Sequence, residues 1–492
     1  MTLSDPRTVL PSQCGFVPPY LLRRLAAADH PTMAISEHPC GHTLRIDQTF
    51  RRRRLVAPQQ ELLRSAAAGA VGDRWVIHSA NNEEVLPGDV VRREGDPVAA
   101  DPAVDEAYDW TAQVWDLYAS QFNRVSFDGA GSEVTVTVHY SRDYDNAFWD
   151  GAQLVFGDGD GDIFERFTKP ADVLAHEFTH GVVQFTAGLI YHGQPGALNE
   201  SLADVFASMS IQRAADQTAA EASWLIGEGL FRPNIKAKAL RSMLEPGTAY
   251  DDPRLGKDPQ VGSMADYVDS EEDDGGVHIN SGIPNRAFAL AARAIGGRSW
   301  ERAGQIWYAA LTSTAVGSST DFREFAEATV AAATEQFPGT QIPVDVRAAW
   351  VEVGVLETSG PVDVVDPPSN TPVSEPVVDQ PASTDSATPG VPRTVAVRRS
   401  GGFTGYVRRG KLDLAADPRG DEVRGLLHRV DLQQVSMSNP APDRFVYTVE
   451  FGEQVVTAGE QDLPPELQQV VRIVLASSST TDDLGDPGVD LT

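Results

Sequence analysis

Two histidines one helical turn apart, with a glutamate beside the first, are the side chains of this sequence best suited to chemistry: His176-Glu177-Phe178-Thr179-His180. Val173, Leu174, Phe178, Val182 and Val183 recur around them at helical spacing, and no Gly or Pro intervenes before Gly181. The spacing predicts a helix. Positions four apart on a helix project from one side, so both imidazoles can share one metal ion. Glu177 is then near enough to take a proton from a water at that ion. Imidazole suits zinc, and a catalytic zinc needs three protein ligands and an open position. Taken alone, the five residues leave open a plainer reading of two packed or solvated histidines on an ordinary helix.

A third ligand is available downstream. Gly196-Ala197-Leu198-Asn199-Glu200-Ser201-Leu202-Ala203-Asp204 follows the breaker Pro195 and predicts a second helix, with Glu200 and Asp204 one turn apart on one face. Glu200 can complete the zinc shell. Asp204 can accept the second ring N–H of a ligand histidine and fix its tautomer. Carboxylate pairs on helices are also common at surfaces. Here Leu198, Leu202, Val205 and Phe206 give the helix an apolar flank, and the pair follows the histidines closely.

Together these motifs resemble the thermolysin-like zinc endopeptidases. The resemblance runs from about Ala107 to Val355. It is carried by Asn146-Ala147-Phe148-Trp149, the Gly157-to-Gly161 repeat, His176 to His180, Asn199-Glu200 through Asp204, Leu240-Arg241-Ser242-Met243 and Gly275-Gly276-Val277-His278-Ile279-Asn280-Ser281-Gly282. The pattern is similar to the protealysin subgroup, whose short pro-segment carries a Pro-Pro-Tyr box where Pro18-Pro19-Tyr20-Leu21-Leu22 stands here.

The resemblance implies an α+β, two-lobed zincin in which a β-rich lobe and a helical lobe flank a cleft for an extended peptide. It implies one catalytic zinc on His176, His180 and Glu200, with Glu177 as general base. His278 and Tyr191 would donate to the developing oxyanion, Asp273 would orient the His278 ring, and Arg241 would hold a substrate carbonyl. Asn146 and Ala147 would hydrogen-bond the substrate backbone at a strand edge. An apolar lining near Phe164, Val173 and Leu240 predicts cleavage before bulky hydrophobic residues. Thermolysin also binds structural calcium. Asp172 and Glu228 match two of those ligand positions, but Ile211, Ser223 and Leu225 occupy others, so the double calcium site is not expected. The Gly157–Asp162 run is no EF-hand either, because Lys169 stands where an acidic ligand is needed.

Length and composition set the frame. The chain has 492 residues, of which 41% are hydrophobic, enough for several domains with sizeable cores. A formal net charge of -30 excludes nucleic-acid and anionic-membrane partners as natural readings. The substrates implied are proteins or peptides. No apolar run reaches membrane-span length. The first residues lack the basic start and apolar core of an ordinary secretory signal, so the expectation is a cytoplasmic protein or one exported by another route. Cys14 and Cys40 are the only cysteines, which rules out a disulfide framework. One thiolate could cap the zinc of a latent precursor, although lone cysteines in such a segment are usually bystanders.

The expected domain order is a pro-segment at 1–73, a catalytic unit at 74–357, a linker at 358–393, a small domain at 394–476 and a disordered acidic tail at 477–492. The pro-segment, rich in Pro, Arg and Ala, would occupy or cover the cleft, with Arg51 to Arg54 in an exposed, cleavable connection. In the catalytic unit, alternation predicts strands over Glu133–Tyr140, with His139 as a packed or hydrogen-bonded residue, and over Ala152–Phe156. Helices are expected near 171–187, 199–214, 281–295, 299–313, 319–336 and 343–354. The linker composition of Pro, Val, Ser, Asp and Thr carries no periodicity.

After the linker a ββαββα pattern follows: strands 394–400 and 404–414, a helix at 421–430, strands 444–451 and 454–458, and a helix from Pro464-Pro465 carrying Leu467, Val470, Val471, Ile473 and Val474. With no His cluster, cysteine or phosphate loop it reads as a binding module. Arg398-Arg399-Ser400-Gly401-Gly402-Phe403 and Asp462-Leu463-Pro464-Pro465 resemble emfourin, an inhibitor of protealysin-type enzymes. That resemblance implies regulation in cis, the linker supplying a high effective concentration. A substrate- or surface-docking module is the alternative. For the whole chain, the competing class is a catalytically idle, zinc-stabilised binding protein.

Overall fold

The computed structural model describes residues 15–28, 39–54, 73–358, 394–401, 407–414, 417, 419–430, 445–451, 454–459, 463–475 and 481–483. Cys14, Gly402, Phe403, Asp462, nearly all of the expected linker and most of the expected tail lie outside those residues. The chain divides into two compact units, Met1–Pro368 and Ser369–Thr492.

The first unit begins with two helices, α1 (Pro19–Ala28) and α2 (Pro39–Arg54). Leu21, Leu22, Leu25 and Cys40 are buried in the same core as the catalytic elements. The Arg51–Arg54 run, expected in an exposed connection, instead continues the α2 backbone; arginine is a good helix former. A five-stranded sheet follows: β1 (Trp75–Ser79), β2 (Asp89–Arg93), β3 (Val134–Val138), β4 (Ala147–Trp149) and β5 (Leu154–Phe156), in the order β2-β1-β3-β5-β4. Among the five strands β4 pairs with β5 alone and so forms an edge of the sheet. β3 stops at Val138, two residues short of the expected strand, because His139 turns to φ 54 and leaves the ladder.

Between β2 and β3 lies α3 (Pro102–Phe122), a 21-residue helix in the part of the sequence that reads as β-rich. Its signals were available. Asp101 caps it through Ala103 N at 2.9 Å, Pro102 fits its first turn, and Ala103, Ala107, Thr111, Val114, Tyr118 and Phe122 form one buried face. α3 bridges the sheet to α4 (Ala171–Gln184), the histidine helix. Every residue of α4 from Asp172 to Val183 is buried, polar side included. A helix enclosed on all sides is held far more rigidly than a surface helix with one apolar stripe.

α5 (Gly193–Ala214) crosses α4 and starts before Pro195 instead of after it. Pro195 sits in the first turn, where its missing N–H would have had no helical partner. The helical lobe continues with two pairs of short strands, β6 (Leu225–Ile226) with β7 (Arg241–Ser242) and β8 (Asp251–Asp252) with β9 (Gly256–Lys257), and then with α6 (Asp273–Asn280), α7 (Gly282–Ile295), α8 (Ala303–Thr312), α9 (Phe322–Gln336) and α10 (Ile342–Glu352). Trp307 and Trp350 stack at 6.0 Å between α8 and α10, and Asp321 and Glu324 close a capping box on α9. No helix among the described residues is long and apolar enough to cross a membrane.

The second unit is an antiparallel sheet of β10 (Thr394–Gly401), β11 (Val407–Asp413), β12 (Phe445–Phe451), β13 (Gln454–Gly459) and β14 (Thr481–Asp483), ordered β13-β12-β10-β11-β14. α11 (Gly420–Arg429) and α12 (Pro465–Leu475) join it, with Val395, Val397, Leu412, Val449, Leu467, Val470 and Val474 in its own core. The ββαββα order is that expected from the pattern. β14 is an addition: its three residues, expected in a disordered tail, pair with Val407–Arg409 of β11.

Candidate metal centre

One side of α4 and the start of α5 bring the histidines and Glu200 together. His176 Nε2 and His180 Nε2 face each other at 3.0 Å, and Glu200 carboxylate oxygens lie 3.6 and 3.5 Å from them. Among the described residues, these three side chains are the group whose ligand atoms are close enough to share an ion, all within 4.8 Å of one another. The opposite ring nitrogens are already committed. His176 Nδ1 donates to Asp204 at 2.8 Å and His180 Nδ1 to Asn199 at 2.9 Å. Both Nε2 atoms therefore turn lone pairs inward, an arrangement that a cation relieves and that two neutral imidazoles alone do not. Glu200 Oε2 and Glu177 Oε1 are buried without a hydrogen-bond partner and complete the fit. The donor set, two imidazoles and a carboxylate, is that of a catalytic zinc.

Electrostatics sharpen the arrangement. Burial, then the neighbouring Glu200, pushes the Glu177 carboxyl well above its ordinary range. Its Oε2 accepts from Trp149 N at 2.9 Å, which ties the carboxylate to strand β4. Burial and then His176 depress His180 to about 3, so its imidazole is neutral and free to ligate. Asp204 is also buried, but the Arg241 guanidinium and His176 outweigh that and hold it ionised. Arg241 grips it with two bonds of 2.8 Å and Asn285 adds a third of 2.8 Å.

Opposite Glu177 stands His278. It is delivered by a backbone that few residues adopt: Asp273, Asp274, Gly275 and Gly276 all take positive φ, at 56, 52, 88 and 73°. Aspartate tolerates that region, and glycine has no side chain to oppose it. A Cβ on Gly275 would also lie 2.7 Å from Gly193 N. Asp273 accepts both the His278 amide at 3.0 Å and its Nδ1 at 2.7 Å. Burial lowers the His278 pKa, but Asp273 and Glu200 overcome it and raise it to about 9. Its Nε2 lies 3.2 Å from Tyr191 Oη, which itself hydrogen-bonds Glu200.

The cleft edge is also engaged. Gly15 bridges Phe148 in antiparallel fashion, Phe16 N donates to Ala147 O at 3.0 Å, and Val17 N donates to Asn146 Oδ1 at 2.8 Å. Arg241 Nη1 donates to Phe16 O at 3.1 Å. Asn146, Ala147 and Arg241 thus meet on one extended stretch, and the stretch is the chain's own segment just before the Pro-Pro-Tyr box. Phe164, by contrast, is buried against Phe167 and Phe231. Cys40 is not among the metal-ligand group: its thiol donates to buried Asp145 at 3.3 Å. His139 donates to Asp158 and Asp101 from its two nitrogens, at 2.8 and 3.2 Å. Asp172 accepts from Gly227 N at 2.7 Å, and burial pushes it up to about 6.

Three participants escaped sequence reasoning. Asn199 stood in a recognised motif without a role, because an asparagine beside a glutamate does not reveal which histidine it will face. Asn285 comes from α7, far along the chain. Gly15–Val17 carried only an apolar tripeptide ahead of two prolines.

Comparison with known proteins agrees with this geometry. Residues 76–184 match the family described as thermolysin metallopeptidase, catalytic domain, and residues 187–355 match its alpha-helical domain. Residues 397–475 match emfourin. A protein named extracellular metalloprotease from Pectobacterium carotovorum subsp. carotovorum is 47% identical over 344 residues, covering 70% of this chain and 96% of that one. A thermolysin from Alicyclobacillus acidocaldarius is 36% identical, over 58% of this chain and 51% of that one. The solved precursor of protealysin, a metalloproteinase from Serratia proteamaculans, superposes with a TM-score of 0.61 at 45% identity, covering 70% of this chain and all of that one.

Proposed function

The chain belongs to the thermolysin family of metalloendopeptidases, and from that premise we propose an enzyme with one catalytic zinc, made as a latent precursor and cutting peptide bonds before bulky hydrophobic residues. The observation that carries the reading is the inward convergence of His176 Nε2, His180 Nε2 and Glu200 beside the unpartnered Glu177 oxygen. When bound, zinc supplies Lewis acidity, which makes a water acidic and polarises a carbonyl.

The chain's own residues do the rest. Glu177 takes a proton from the attacking water at Oε1 and delivers it to the departing amine nitrogen. His278 Nε2, charged at neutral pH, and Tyr191 Oη donate to the oxygen as negative charge builds on it. Asp273 holds the His278 ring. Arg241 binds the next carbonyl along the substrate, while Asn146 and Ala147 hold its backbone against β4. Asp204 and Asn199 keep the two ligand rings in the tautomer that ligates. Leu240 and Gly227, which flank the Phe16 ring, support the hydrophobic preference.

A chelator should abolish cleavage of an unstructured protein by the processed enzyme, and zinc should restore it. Activity that persists after verified metal removal contradicts the reading. Cut sites should fall before Phe, Leu, Ile and similar residues, and a flat profile removes that part. The extracellular naming of the Pectobacterium relative supports action outside the cell.

Residues 394–476 we infer to regulate the enzyme in cis, supported by the match to emfourin. The domain borders read from the sequence define the test. Peptidase activity of the 74–357 unit is compared with that of the same unit still carrying residues up to 476. Equal activity would favour a docking role instead.

A further inference from the structure

On the peptidase reading above, we propose that the Gly15–Phe16 peptide bond is the chain's own first cleavage site, held in its cleft as an intramolecular substrate.

The register carries the inference. The Gly15 carbonyl oxygen lies 3.2 Å from His278 Nε2, the donor that also meets Tyr191. One bond later, Phe16 N donates to Ala147 O at 3.0 Å. The Phe16 carbonyl accepts from Arg241 at 3.1 Å, and Val17 is clasped by the Asn146 side chain, its N–H donating at 2.8 Å. The peptide bond between the carbonyl facing His278 and the nitrogen held by Ala147 is Gly15–Phe16. Its antiparallel run along β4 is how an added peptide strand binds an open edge.

Side chains agree with the register. The buried Phe16 ring sets its edge against His176 at 5.1 Å, and the Arg241 guanidinium covers its face at 4.7 Å. A Cβ on Gly227 would come within 3.3 Å of that ring, so glycine there keeps the pocket open. At Gly15 a Cβ would lie 2.5 Å from Asn146 Nδ2, so a glycine before the bond lets the segment approach the edge without displacing that amide. A bulky aromatic thus follows the bond, as the proposed preference requires.

The attachment has further anchors in α2. Tyr144 donates to Asp47 of α2 at 2.6 Å, and Asn146 Nδ2 donates to the same carboxylate at 3.1 Å. The two helices fix the bond at high effective concentration. In the step itself, the water oxygen bonds to the Gly15 carbonyl carbon and the carbon–nitrogen bond to Phe16 breaks. Both water protons end on the Phe16 nitrogen, the first carried there by Glu177 and the second following as the new Gly15 carboxyl group ionises. The products are a Gly15 carboxylate and a Phe16 ammonium, with no change of oxidation state.

The test follows purified full-length precursor by intact mass and N-terminal sequencing after zinc is added, with a hydrophobic peptide present as a separate substrate. The expected result is loss of residues 1–15 to leave a chain starting at Phe16. Its rate should be independent of protein concentration over about a 100-fold range, as a tethered reaction requires. Glu177→Gln should stay intact. Without metal, Phe16→Asp in the Glu177→Gln background should lower the unfolding midpoint by about 4 °C or more. If the added peptide is cut while the first new N-terminus lies elsewhere, the proposal is overturned and the peptidase reading stands. A rate that scales with concentration, or an unchanged midpoint for Phe16→Asp, overturns it as well. If neither peptide nor precursor is cut, both readings fall.

Discussion

Two of the histidine–carboxylate clusters among the described residues of the first unit differ in what their rings have left to offer. At His139 both nitrogens are spent, Nδ1 on Asp158 and Nε2 on Asp101, and the side chain is 21% exposed. At His176 only Nδ1 is spent, on Asp204, and the ring is fully buried with Nε2 facing His180 and Glu200. Residue types are the same in both. The difference is geometric: one helix presents two rings from the same side, their planes at 86°, and a second helix supplies carboxylates from two levels. Around His139, Asp101 ahead of α3 and Asp158 after β5 take one ring from both ends. Burial then decides how much each contact counts, since water screens the exposed cluster and is absent from the enclosed one.

The comparison can be broken or sharpened by substitution. Glu177→Gln should retain stoichiometric zinc and lower kcat by about 10⁴-fold, the scale of a lost general base; substantial turnover in a metal-replete sample would remove the assigned base. Asp204→Asn strikes the orienting carboxylate and also strands buried Arg241. Zinc affinity should fall by about 10–100-fold and folding stability by about 3 kcal/mol, read by competition with a metal indicator and by urea unfolding. Normal zinc affinity in that variant would mean that His176 needs no orienter. Asn199→Ala should weaken zinc by about tenfold with little loss of stability, because no charge is stranded.

The smallest effect is expected at His139. The hydrogen bond that His139 donates to Asp158 raises its pKa despite partial burial, with Asp101 adding to the shift. A histidine whose folded pKa is raised contributes stability that is fully present below its ordinary value of about 6.5 and is lost as pH rises through the folded value. His139→Asn should therefore destabilise by less than about 1 kcal/mol at pH 5.5, with the deficit vanishing above that window and zinc content unchanged. A loss of zinc in this variant would erase the contrast between the clusters.

Much of the centre was legible because it is local. His176, Glu177 and His180 share one helix, Glu200 and Asp204 share the next, and helical spacing converts sequence separation into direction. The helical lobe was legible for the same reason. α3 was obscured by its position among strands, although its cap and apolar face were in plain sequence. β14 and the α2 backbone of Arg51–Arg54 were missed because polar, charged stretches carry no period, and pairing or propensity set them instead. Cys40 looked like a ligand candidate by type. Its burial beside Asp145 turns it elsewhere.

By itself, then, the sequence determined which three side chains could share an ion, which carboxylate stands beside them and the order of lobes, since each is written in short-range spacing that backbone geometry obeys. Only the tertiary structure decided which groups complete them. Arg241 clamps Asp204 across 37 residues, Asn285 reaches the same carboxylate across 81, and Phe16 enters the cleft across 225 to meet Arg241. Contacts of that span depend on how elements stack. No periodicity along the chain encodes them, and the packed core alone brings them within reach of one another.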